Sequence, residues 1–147
     1  MEKTLIVKSV FEYGKAIPKK YTCEGENVNP PLFIDNIPKE AKSLAIIMDD
    51  PDAPNGTFVH WVLWNHPLEN VKENTNEGES GINSFGKNGY GGPCPPKGHK
   101  DHRYYFKVYA VDEMLKLSKN TTKEELLKVI ENKTVAKGEL MGTYRRD

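Results

Sequence analysis

Residues 58–65 read FVHWVLWN. Strand side chains alternate between faces, so Phe58, His60, Val62 and Trp64 are expected to share one face, with Val59, Trp61, Leu63 and Asn65 on the other. Both faces are then largely apolar. A strand of that kind needs cover on each side, which places it centrally in a sheet packed against further layers and puts His60 in the interior.

Three more runs rich in β-branched and aromatic residues read as strands: TLIVKSV at 4–10, SLAIIMD at 43–49 and RYYFKVYAVD at 103–112. Prolines and glycines separate them throughout, as they do in mainly β domains. One segment reads as helix, TTKEELLKVIEN at 121–132. Thr122 and Glu125 have capping-box spacing, and Leu126, Val129 and Ile130 form an apolar stripe. ELMGTYRR at 139–146 reads as a closing strand or extended tail with Tyr144 turned inward.

The 147 residues are enough for one domain spanning 1–147, and 37% hydrophobic content is ample for a core. Twenty-one basic residues balance twenty-one acidic ones without long blocks of either sign, so no electrostatic footprint for nucleic acid stands out. The amino-terminal residues lack the features of a signal peptide, and no stretch reaches the roughly 18 apolar residues of a membrane span. Cys23 and Cys94 could form one bridge, but two cysteines are too few for a disulfide framework, which favours two free thiols and a cytoplasmic location.

Two stretches join polar side chains to constrained backbone. In MDDPDAPNGTFVHW, at 48–61, Asp49, Asp50 and Asp52 surround Pro51 while Pro54 restricts the following turn. If the flanking strands pair, Asp50 can approach His60 and hold its tautomer. In GYGGPCPPKGHKDHRY, at 89–104, glycines allow close backbone approach and three prolines stiffen the loop. It leads into a strand carrying His102 and Tyr104 on one face. Backbone N–H groups and two imidazoles suit a small anion. His66 and His99 read as loop residues without a role.

These motifs identify the chain with a known family. YTCEGENVNPPL, DDPDAP with HWVLWN, GINSFGKNGYGGPCPPKG with HRYYFKVYAVD, and ELMGTYRR resemble, in order and nearly end to end, the phosphatidylethanolamine-binding protein (PEBP) family, in its short bacterial and archaeal Raf-kinase-inhibitor-like branch. The resemblance implies a large antiparallel sheet packed on a smaller one with Greek-key connections and little helix. It also implies a surface anion pocket for small phosphorylated ligands or phospholipid headgroups, without cofactor or metal. Carried over by motif, the pocket residues are Asp50, Asp52, Pro54, His60, Gly92, Pro96, His102 and Tyr104, with Phe58 and Tyr90 as walls. Regulation of a protein target, a kinase or a protease, and pairing as a homodimer are further implications of the likeness.

Two other readings compete with a binding protein. A hydrolase could use Cys94 with His102 as nucleophile and base, or Asp50 with His60 to activate water. Ser84 in INSFG does not fit the nucleophile-elbow pattern. A metal site from His60, His102 and Asp50 would have suitable ligand types but lacks the spacing of common zinc motifs.

Overall fold

The unbroken apolar run LAIIM in SLAIIMDD decides the architecture, because every residue of that strand is buried. The computed structural model describes residues 3–147. Its strands are β1 (Lys3–Thr4), β2 (Ile6–Lys8), β3 (Phe33–Asp35), β4 (Ser43–Asp50), β5 (Phe58–His66), β6 (Glu79–Ser80), β7 (His102–Val111) and β8 (Thr134–Tyr144), with helix α1 (Lys123–Ile130) between the last two. The larger sheet runs β1-β8-β7-β4-β5-β6, and β2 and β3 form a smaller one. Strand β7 returns beside β4 after the β4-β5-β6 meander, which is a Greek-key connection.

The fully buried central strand is therefore β4, flanked by β7 and β5, whereas β5 lies one place from the short edge strand β6. Leu44, Ile46 and Met48 point into the principal core with Tyr104, Phe106 and Val108; Ala45 and Ile47 point to a second core with Leu126 and Ile130 of α1. The capping box is formed: the Thr122 hydroxyl accepts from the Glu125 backbone N–H, and the Glu125 carboxylate accepts from the Thr122 N–H. Tyr144 is half-buried against the principal core, as the closing-strand reading requires.

The expected strand TLIVKSV is instead divided between two sheets. Leu5 is buried between β1 and β2, and its N–H donates to the Lys137 carbonyl. Its own carbonyl lies where a side chain at Gly138 would stand, so only glycine admits the crossing. Strand β1 joins β8 in parallel, which makes the large sheet mixed, although its remaining pairs are antiparallel.

The alternation expected for β5 also breaks. Met48 pairs with Trp61 but Asp49 with Val59, leaving His60 as an extra residue in a β-bulge. Phe58 and His60 consequently share the face of Trp61 and Leu63, while Val59, Val62 and Trp64 lie on the other. His66, expected in a loop, is fully buried at the end of β5.

Cys23 and Cys94 are joined in a disulfide, contrary to the expectation of free thiols. Their Cα atoms stand 5.4 Å apart because the Cys23 N–H donates to the Pro93 carbonyl, bringing two segments 71 residues apart into register. No helix among the described residues is long and apolar enough to cross a membrane.

Candidate anion-binding site

Strand β4 ends at Asp50 directly opposite Phe58, the first residue of β5, so the DPDAP turn closes over the end of the sheet. Asp50 is 3% exposed. Its Oδ1 accepts the Asp52 backbone N–H at 2.7 Å, and its Oδ2 accepts from His102 Nδ1 at 2.7 Å. The carboxylate thus meets the imidazole of β7 and not, as expected, that of His60. His102 and Tyr104 occupy one face of β7, with their rings stacked 6.4 Å apart.

His60 is held by the glycine-proline loop. Its Nδ1 donates to the Gly91 carbonyl at 2.7 Å, while the Gly91 N–H donates to the His60 carbonyl. A carbonyl can only accept, so the proton of the neutral ring resides on Nδ1 and Nε2 carries the lone pair. The loop must approach closely to make this clasp. A Cβ on Gly91 would enter the Phe85 ring, and one on Gly92 would stand 2.2 Å from the Tyr21 carbonyl oxygen.

Around these groups lies a cavity of about 550 Å³. Asp50, Pro54, Phe58, His60, Pro96, His102 and Tyr104 line it, as the resemblance implies. Asp52, Tyr90 and Gly92 do not. The Asp52 carboxylate is turned to Arg103, whose Nε and Nη2 lie 2.9 and 2.8 Å away, and that pairing holds its pKa below the usual range. Tyr90 donates its hydroxyl to the Tyr21 carbonyl, and Gly92 its N–H to Asn27, so both brace the loop from behind.

The sequence reading missed Phe85 and Pro95 on the lining. Phe85 is 43% exposed in the turn after Ser84, where it has no core to fill; its ring packs on Phe58 and His60 at 4.8 and 5.4 Å. A large aromatic residue embedded in turn chemistry was the available signal. Ser84 also lines the cavity, but its hydroxyl accepts the Val59 N–H.

Burial among Phe58, Phe85 and Tyr104 lowers the His60 pKa, outweighing the opposite effects of the Gly91 carbonyl and Asp50. The unfolded chain, with His60 near 6.5, then binds the more protons just below that value. The His60 contribution to stability is complete above about pH 6.5 and is lost as pH falls toward the folded value. Urea unfolding from about pH 7.5 to 5 is expected to show this decline, and His60→Phe to reduce it; an identical slope in the variant would remove His60 as its source.

Tyr104 is wholly buried, with its hydroxyl directed at the Asp50 carboxylate. Burial and the neighbouring Asp50 charge hold it well above the usual tyrosine pKa, so it remains a neutral donor. Cys94 lines the cavity as half of the disulfide, with no thiol to act as a nucleophile. Among the described residues no group of three or more His, Cys, Asp or Glu is arranged to hold a metal ion.

Residues 7–145 match the family model described as phosphatidylethanolamine-binding protein. A UPF0098 protein of Pyrococcus abyssi is 50% identical over 99% of this chain and 87% of its own length. The crystal structure of a PEBP homologue from Chlamydia trachomatis superposes with a TM-score of 0.92 at 40% identity, covering 99% of this chain and all of the other. Escherichia coli YbcL, described as a member of the mammalian PEBP family, gives 0.89 at 28% identity, with 97% and 99% covered.

Proposed function

The chain belongs to the phosphatidylethanolamine-binding protein family, and on that premise we propose that it is a non-catalytic binding protein whose cavity takes small phosphorylated ligands or phospholipid headgroups. The observation that carries this reading is a pair of buried imidazoles on one cavity, His60 and His102, each holding its Nδ1 in a fixed hydrogen bond, to Gly91 and to Asp50. His102 turns Nδ1 to Asp50, which leaves Nε2 for the cavity that it lines.

The same geometry disfavours the hydrolase reading. The Cys94 sulfur is bonded to Cys23, the Ser84 hydroxyl accepts the Val59 amide and has no hydrogen-bonded base beside it among the described residues, and Asp50 serves His102 instead of activating water with His60. What remains is a set of fixed hydrogen-bonding groups with an aromatic and prolyl rim, which selects a small polar head and tolerates an attached apolar group.

The test is a titration of phosphate, phosphoethanolamine and acetate into the protein, followed through the histidine ring NMR signals. Phosphorylated ligands are expected to shift the rings of both His60 and His102. Either His60→Ala or His102→Ala should weaken binding about tenfold or more, as loss of a hydrogen bond to a charged partner does. If neither ring responds to any of the three, the cavity is not the binding site.

A further inference from the structure

We infer that the cavity accepts its oxyanion in singly charged form, the complex holding one hydrogen between a ligand oxygen and Nε2 of His60. The inference rests on the anion-binding reading above and specifies which protonation state of the ligand fits. It begins from what the lining lacks. Neither lysine nor arginine contributes to it, and its one carboxylate is Asp50. A second negative charge on the ligand would face that carboxylate in a half-enclosed, largely apolar cavity with no fixed cation to offset it.

The charged and titratable groups around His60 come from every element packed on it. Strand β4 brings Asp50, and on its reverse face Asp49, bound to Lys107 and Lys123 at 3.3 and 2.7 Å. Strand β7 brings His102 and Tyr104, with Arg103 turned outward to Asp52. His99 packs beside His102, and Arg146 of the carboxyl-terminal tail donates Nε to the Pro95 carbonyl behind the loop. Arg103, Lys107 and Lys123 are thus committed elsewhere, the two lysines across the sheet, and Arg146 is not on the lining.

The hydrogen-bond inventory leads to the same ligand. The Gly91 clasp leaves His60 Nε2 as an acceptor, and the Asp50 bond leaves His102 Nε2 toward the same cavity. An acid phosphate can present its one P–OH to the His60 acceptor. A fully deprotonated dianion would present lone pairs to the His60 lone pair. It can bind only by taking up a proton, which then lies in the same hydrogen bond.

Isothermal calorimetry with methyl phosphate, dimethyl phosphate and sulfate tests this, in two buffers of different ionisation heat. The first is a monoester carrying a titratable hydrogen, the second a permanent monoanion resembling a lipid diester, the third a dianion without a proton. Methyl phosphate is expected to bind about fiftyfold more weakly at about pH 8 than at about pH 6, following a second pKa of about 6. At the higher pH it should take up close to one proton per ligand. Dimethyl phosphate should bind more weakly than methyl phosphate at the lower pH, and sulfate should not match methyl phosphate at either.

A pH-independent methyl phosphate affinity without proton uptake overturns the inference. So does sulfate binding as tight as methyl phosphate at the higher pH, or dimethyl phosphate binding more tightly at the lower. His60→Gln supplies an N–H at this point and should flatten the methyl phosphate profile. Should that variant fail to fold, the proton count on the unaltered protein decides alone. Failure of all three probes to bind at any pH is a different result, which removes the anion-binding reading itself.

Discussion

Removing the Cys23–Cys94 bridge is expected to destabilise the protein by about 4 kcal/mol and lower its thermal midpoint by about 10 °C. The magnitude follows from the loop it closes, since the two cysteines are 71 residues apart and the unfolded chain gains that loop's freedom when the bond is cut. Thermal unfolding with and without reductant, beside a Cys23→Ser/Cys94→Ser variant, measures it. The bridged segments are already in contact through the Cys23 N–H and the Pro93 carbonyl, so the reduced protein should fold to the same cavity at lower temperature. A midpoint indifferent to reductant, with two thiols titrating after treatment, would falsify the entropic account.

Asp50→Ala is expected to cost about 3 kcal/mol and abolish anion binding, because it leaves a buried imidazole without its acceptor. The same change frees the Asp52 N–H that closes the DPDAP turn. Asp52→Ala, two residues along, is expected to be far milder. Its partner Arg103 is about half exposed, and ion pairs in contact with water contribute little. Urea unfolding of the two variants side by side gives the comparison. If both lose the same small amount, the Asp50–His102 bond does not hold the site.

These neighbouring aspartates also show what could be read from the chain. Their placement in a turn after a buried strand was legible, because proline and aspartate restrict the backbone locally. Which histidine Asp50 meets was not, since that depends on β7 lying beside β4 across a long connection. The helix was plain from its cap and stripe, both local signals. The division of TLIVKSV between sheets was hidden because it depends on the absence of a side chain at Gly138, far along the sequence. For the same reason the cysteine pair escaped: composition argues from compartment, whereas the bond depends on the Cys23–Pro93 contact that only the fold assembles. Of the cavity residues carried by motif, seven line the space, Asp52 turns away to Arg103, and Tyr90 and Gly92 belong to its scaffolding instead.

The extra residue at His60 divides β5 into two working lengths. Upstream of it, Phe58 and His60 answer to whatever occupies the cavity; downstream, Trp61 to Trp64 answer only to the two cores. Selection can therefore act on the two halves of one strand separately, and a library randomised at 58 and 60 can explore new ligands without spending the folding tolerance of 61–64. Deleting His60 would restore regular pairing, with Phe58 still opposite Asp50 and Val59 opposite Asp49, and remove the imidazole that the bulge adds to the cavity face.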